Sequence, residues 1–284
     1  LVDVTTSARL LDPVRGGGAG PDLLEAMAMP GTTFDAAEVL ITGGSDGIGL
    51  GLARRFLAAG ARVLVTGRDA GKLERAAAAA PGLQTLVNDI GVPEERETLA
   101  QHLQAQHPGL RVIVNNAGIQ RRIALADEQA PWAERQREID ILFAAPVHLN
   151  HLLIPMLLAH GQPSLIANVT SGGGFVPQPF APVYSACKAA LHSYTTNLRF
   201  ALSGTPVRVV DIIPPAVRTG LMAAGVTHGA DLDAFCDAVF AGLEAGQADE
   251  IGFGMTATPE FRQRLAVDRQ LFDSFSGRFP VRTY

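Results

Sequence analysis

A chain of 284 residues, 47% hydrophobic and 18% charged, has material for one large core, and a single doubly wound α/β domain is the first expectation. The net charge of −5 argues against nucleic acid as a main partner, for which clustered Lys and Arg would be expected. Two cysteines, Cys187 and Cys236, are too few and too far apart for a disulfide framework or a zinc site, and a reducing, cytoplasmic setting is the simplest reading.

Residues 1–34 contain GGGAGP and PGTT without sustained periodicity, so they read as a flexible extension with a short helix over 22–27. No basic segment precedes an apolar core there, and no signal peptide is expected. The domain proper spans 35–284. Val39-Leu40-Ile41 is a short strand, followed by TGGSDGIG at 42–49 and a helical pattern ending at Gly60. Gly43, Gly47 and Gly49 let the backbone turn sharply and approach a pyrophosphate, while the helix N-terminus offers free N–H groups and a positive dipole end. The spacing G-x-x-x-G-x-G also suits a turn with a structural role alone.

The strand RVLVT at 62–66 leads to Gly67-Arg68, where a dinucleotide-binding unit tests the adenosine ribose. An acid there would take the 2′-hydroxyl, whereas Arg68 can pair with a 2′-phosphate, which favours NADP(H) and leaves NAD(H) as the alternative. A solvated surface arginine is the plainer reading, and Asp46 and Asp69 bring negative charge nearby. A helix over 72–80 and a strand over 83–87 follow, ending at Asn88-Asp89-Ile90, where Asp89 either contacts the adenine or caps the next helix with Pro93. A helix over 94–107, a strand over 110–114 and then NNAG at 115–118 continue an alternation that predicts a parallel sheet with helices on both faces, a Rossmann-type three-layer αβα fold.

The region 131–160 reads as one long helix or two abutting ones, with Pro146 and Pro155 marking kinks. Its apolar stretch is interrupted by Pro146, His148, Asn150, His151 and Pro155, which suits a buried helix and makes a poor membrane span. His148 and His151 lack a third ligand nearby and read as ordinary helix histidines, so no metal is expected.

The run SGGGFVPQPFAPVYSACK at 171–188 carries the most chemistry. Ser171 follows the apolar strand SLIANVT, so its hydroxyl emerges at the strand's C-terminal end, where open α/β sheets bind ligands. A helix starting near Pro182 places Tyr184 and Lys188 about 40° apart around its axis, on one face. A lysine there favours the phenolate and eases proton exchange at the tyrosine oxygen. The helix continues to Leu202, a strand covers 207–213, and Pro214-Pro215-Ala216-Val217-Arg218-Thr219 follows. The stretch near 218–231 reads as a flap over the site or an ordinary loop. A helix over 232–243, a last strand over 250–254 and a tail over 255–284 with scattered aromatics complete the chain.

With these motifs in order, the chain resembles the short-chain dehydrogenase/reductase family over roughly residues 36–255. TGGSDGIG, NNAG, Ser171, Tyr184-Ser-Ala-Cys-Lys188 and the proline turn at 214–219 all occur at about the family's spacing, and NNAGIQ and PPAV are similar to a bacterial subgroup of oxidoreductases. The resemblance implies reversible hydride transfer between NADP(H) and a carbonyl or alcohol. It makes Tyr184 the general acid/base, Lys188 the group that binds the nicotinamide ribose and lowers the tyrosine pKa, and Ser171 the donor to the substrate oxygen. It further implies that Asn115 braces the central strands. Cofactor contacts would come from Gly43, Ser45, Asp46, Gly47, Ile48, Gly49, Arg68, Asp89, Ile90, Asn116, Ala117, Gly118, Tyr184, Lys188, Pro214, Val217 and Thr219.

Two departures stand out. The family's active-site Asn falls at position 142, following EIDI, where this chain has Leu142; Pro215 replaces the usual Gly of the proline turn. Leu142 motivates an alternative: a dinucleotide-binding sensor or scaffold with weakened catalysis. The partners expected are a small carbonyl or alcohol, hydrophobic to match Phe175, Val176 and Phe180, and a second copy of the chain in a homodimer or homotetramer through the helices near 132–160 and 182–203, with neither nucleic acid nor membrane.

Overall fold

Strands that are apolar at consecutive positions need cover on both faces, and the fold supplies it. The computed structural model describes residues 33–127, 129–221, 228–246 and 248–284. The expected extension over 1–34, with its short helix, falls almost wholly outside them, as does the 222–227 part of the expected flap. Among the described residues, β1 (Glu38–Thr42), β2 (Arg62–Gly67), β3 (Gln84–Val87), β4 (Leu110–Asn115), β5 (Ser164–Val169), β6 (Val207–Ile213) and β7 (Glu250–Gly252) form one sheet. The order is β3-β2-β1-β4-β5-β6-β7, every neighbouring pair parallel. This is the doubly wound, Rossmann-type arrangement expected from the alternation.

Strand periodicity sorts the core into two layers. Val39, Ile41, Val63 and Val65 face α1 (Gly47–Ala58), α2 (Ala70–Ala79) and α7 (Leu232–Ala245) through Leu52, Phe56, Leu73, Phe235 and Val239. Leu40, Leu64, Ile113, Ile166 and Val209 point the other way, towards α3 (Pro93–Gln106), α5 (Ala145–Ala159) and α6 (Pro182–Ala201). Each fully buried Leu or Phe contributes roughly 1.5–3 kcal/mol relative to exposure, so both layers are needed to hold the sheet. Phe34, just ahead of β1, closes the first layer by stacking on Phe56 at 4.9 Å and Phe240 at 5.6 Å.

The long apolar helical region is split. α4 (Trp132–Ile139) passes through a π-turn at Asp140–Ala144 into α5, with Pro146 near the join. By composition Trp132–Ala159 could cross a bilayer, yet Leu149, Leu153, Ile154 and Leu157 are buried in the second core layer. Neither α5 nor α6 carries an exposed large hydrophobic side chain, but Leu152, Met156, Leu158 and Tyr194 on them are only partly buried. The last strand ends at Gly252, two residues short of expectation, and the tail contains a helix, α8 (Pro259–Ser276). The signal for α8 was local: Thr258 accepts from Phe261 N at 3.3 Å and Pro259 opens the first turn.

Candidate active site

Because the strand order reverses at β1 and β4, a crevice opens above their C-terminal ends. The glycine turn and the NNAG segment fill its floor. Gly43 has φ +65°, and a Cβ there would lie 2.7 Å from the Ala117 Cα; at Gly49 it would lie 2.5 Å from both the Asn116 Nδ2 and the Gly43 carbonyl. Only glycine allows this approach. Asn116 Nδ2 donates to the Thr42 and Gly43 carbonyls at 3.0 Å each, and the Thr42 hydroxyl accepts from the N–H groups of Asn116 and Ala117 at 3.1 Å. The Asn116 side chain thus shapes the turn, with its amide donors already spent. Asp46 caps α1 by accepting from Gly47 N at 2.7 Å, and Thr219 lies against Gly47. The Val217–Ala230 bridge holds the proline turn beside this loop. The cradle and the free N–H groups of α1 fit a dinucleotide's pyrophosphate.

At the adenosine end, Arg68 is exposed and Ser45 lies next to Gly67. The charge of Asp69 is committed to capping α2, through Lys72 N at 2.9 Å. Asp89 corrects an expectation. It does not cap α3, which starts at Pro93 after Val92 with no side-chain cap. Instead its Oδ1 accepts from Gly91 N at 3.0 Å and its Oδ2 pairs with Arg137 of α4 at 2.6 Å. Burial pushes its carboxyl up, but the bonds from Arg137 and Gly91 and the charges of Arg137 and Arg68 outweigh it and hold the group low. Ile90, expected against the cofactor, is buried in the second core layer.

The other side of the crevice, which holds the candidate catalytic residues, is built on β5 and α6. Ser171 caps a 3₁₀ turn at Gly172–Gly174, its Oγ accepting from Gly173 N at 3.0 Å, and it lies near enough to Tyr184 to influence the phenol. Gly172 N donates to the Pro214 carbonyl at 2.9 Å, tying this turn to the end of β6. Ser171, Tyr184 and Lys188 therefore converge as the sequence led one to expect. The electrostatics differ from that expectation. Burial raises the Tyr184 phenol, the neighbouring Ser171 hydroxyl pulls it down, and the charge of Glu138 on α4 pushes it up again, with a net rise. The Lys188 ammonium lies 5.8 Å from the Tyr184 ring centroid and donates to the Val169 carbonyl at 2.5 Å. Burial pushes this lysine down to about 8, against the opposing pull of Asp211.

Behind the site runs a set of buried amides that single motifs did not reveal. Asn115 Nδ2 donates to Asn150 Oδ1 on α5 at 2.9 Å and to Asn168 Oδ1 on β5 at 2.8 Å; Asn168 Nδ2 donates to Thr195 Oγ1 on α6 at 2.9 Å. The available signal was a polar residue inside an apolar strand, as with Asn168 in SLIANV and Asp211 in VRVVDII. Phe175, expected at the pocket, instead packs on His192 and on Phe261 of α8, while Val176 and Phe180 are exposed and Arg122 lies 4.8 Å over the Phe180 ring.

The sequence model of the short chain dehydrogenases matches residues 37–228. The chain belongs to the short-chain dehydrogenase/reductase family. Among its relatives, the uncharacterized oxidoreductase DltE of Bacillus subtilis (strain 168) is 40% identical over 183 residues, covering 64% of this chain and 72% of that protein. A sulfoacetaldehyde reductase of Chromohalobacter salexigens is 33% identical over 222 residues, 75% of this chain and 84% of its own length. A solved short-chain dehydrogenase from Burkholderia cenocepacia J2315 in complex with NADP superposes with a TM-score of 0.72 at 27% identity, covering 88% of this chain and all of the other. As a family member, the protein is an NAD(P)-dependent oxidoreductase acting on CH–OH or C=O groups.

Proposed function

We propose that the protein transfers a hydride between NADP(H) and a small carbonyl or alcohol substrate, with Tyr184 as general acid/base, Ser171 as second donor to the substrate oxygen and Lys188 as the cation beneath them. The observation that carries this reading is the placement of Ser171 beside the buried Tyr184, with the buried Lys188 one turn further along the same helix. The bound nicotinamide supplies or accepts the hydride. As negative charge develops on the substrate oxygen, two hydroxyl donors aimed at one point stabilise it more than they stabilise the neutral carbonyl. Exposed Arg68, which follows Gly67, favours a 2′-phosphate, and the NADP complex of the Burkholderia relative agrees with that preference.

Leu142 does not require the sensor reading. In the π-turn, Ala145 N bonds to the Asp140 carbonyl, so it is taken from Ile141, and the helical partner of the Leu142 carbonyl would be residue 146, a proline with no N–H. Two consecutive carbonyls thus lose their α-helical donors without help from an Asn side chain. A cavity of about 10 Å³ borders Ile141, Leu142, Pro146 and Lys188, room for about one water. In this reading that water connects Lys188 to the turn and carries the proton onward. Exposed Val176 and Phe180 favour an apolar substrate body. Two free, buried cysteines suit a cytoplasmic setting.

A panel of ketones, aldehydes and alcohols offered with each cofactor tests the assignment. Tyr184→Phe is expected to lower kcat on the order of a thousandfold while cofactor affinity stays within about twofold. Comparable turnover in the variant, or cofactor binding without any oxidation or reduction in the wild type, would sink the assignment.

A further inference from the structure

A core strand gains nothing by itself from a carboxylate, yet Asp211 in β6 is fully buried. Both of its oxygens are engaged: Oδ1 accepts from the Thr170 hydroxyl at 2.5 Å, and Oδ2 faces His192 Nδ1 at 2.7 Å. Thr170 stands between Val169, whose carbonyl receives the Lys188 ammonium, and Ser171. His192 follows Lys188 by one turn of α6, and its side chain is 22% exposed. The carboxylate therefore lies where β5, β6 and α6 meet beside the lysine, and the imidazole links it to the outside.

We infer that Asp211 and His192 are positioning residues that act as a charge-setting pair for Lys188: a proton entering or leaving the pair through the half-buried imidazole changes the net charge beside the ammonium and so sets the pH range over which the lysine stays charged. With one proton the pair is neutral, and with none it carries one negative charge, wherever the proton resides between the two groups. Asp211 is also the largest influence opposing the burial penalty on Lys188. The other charged and titratable groups nearby are otherwise engaged. On α6, Tyr184 and Cys187 flank the lysine and Arg199 pairs with Glu250 at 3.0 Å; near β7, Asp249 and Glu250 are held by Arg269. On α4, Glu138 acts on Tyr184 and Cys187, and on α8, Arg264 lies 5.8 Å over the Phe175 ring that covers His192.

The chain has two lysines, Lys72 and Lys188, so lysine-selective carbon-13 labelling gives two titrating NMR signals, with exposed Lys72 as the internal reference. Asp211→Asn keeps the shape and both hydrogen bonds while making the pair one unit more positive. It is expected to lower the Lys188 midpoint by about one pH unit. His192→Gln keeps a donor to Oδ2 but cannot hold the proton, and is expected not to lower it. Thr170→Val, which removes a bond that favours the ionised carboxylate, is expected to lower the midpoint by less, and it decides the matter if Asp211→Asn does not fold. An unmoved midpoint in Asp211→Asn, or an equal fall in Asp211→Asn and His192→Gln, overturns the inference. The consequence for turnover rests on the proposed role of Lys188, but the titration itself needs no substrate. The two ideas therefore fail separately: the NMR midpoint tests the pair, and the alkaline limb of kcat/KM tests its link to catalysis.

Discussion

The proposed cofactor half and the proposed catalytic half of the crevice are made of different materials. Around β1 and β2 the proposed recognition surface is main chain and exposed side chain: tight glycines, the N-terminal N–H groups of α1, and Arg68. Around β5 and α6 it is buried polar side chains, Asn115, Asn150, Asn168, Thr195, Lys188 and Asp211, each hydrogen-bonded to a group on another segment of the chain. The first kind of site adds little to the cost of the fold. The second is part of the fold, so changes there are felt in stability as well as in chemistry.

That contrast can be broken by mutation. Asn115→Leu leaves the side-chain oxygens of Asn150 and Asn168 without their shared donor, and should cost about 3 kcal/mol in urea unfolding, at one to a few kcal/mol for each stranded group. A loss well below 1 kcal/mol would mean that the amides are not structural. Lys188→Met should do the reverse, stabilising the cofactor-free protein on the order of 2 kcal/mol at pH 7 while destroying activity. The sign follows from the lysine's value of about 8 in the fold against 10.5 ordinarily: unfolding takes up a proton between these values. The penalty is complete below pH 8 and gone above 10.5, so the variant's advantage must fade across that window; a constant advantage would point to packing instead. The smallest effect belongs to the cofactor half. Arg68→Ala should weaken NADP(H) binding about tenfold relative to NAD(H), by titration calorimetry, with the unfolding midpoint unchanged. Equal weakening for both cofactors would remove Arg68 from phosphate recognition.

The same contrast explains what could be read from the sequence. TGGSDGIG, Arg68 and the Ser171, Tyr184 and Lys188 spacing are local patterns, and local geometry decides their placement. The sequence leaves Asp89 between an adenine contact and a helix cap; it does not cap α3, and its partner Arg137 lies 48 residues away on a helix whose rotation no local pattern reports. The resemblance implies the bracing role of Asn115, but the partners Asn150 and Asn168, like those of Asp211, lie on distant elements that no local pattern reports, although a polar residue inside an apolar strand marks Asn168 and Asp211. α8 was missed because none of its residues is buried, so the apolar stripe that announces a core helix is weak there.

The π-turn at Asp140–Ala144 also acts as an angular spacer. One extra residue in a helix turns everything before it by about 100° relative to everything after it. α5 is fixed by the core, so the turn decides where α4 points Arg137, which holds Asp89, and Glu138, which accepts from Arg121 N at 3.2 Å. Removing a single residue from 140–144 would let the helix heal with its core contacts intact, yet swing both side chains away from the crevice. The two halves of the site thus share one angular setting, held by a five-residue irregularity whose Leu142 packs in the same cluster as Tyr184.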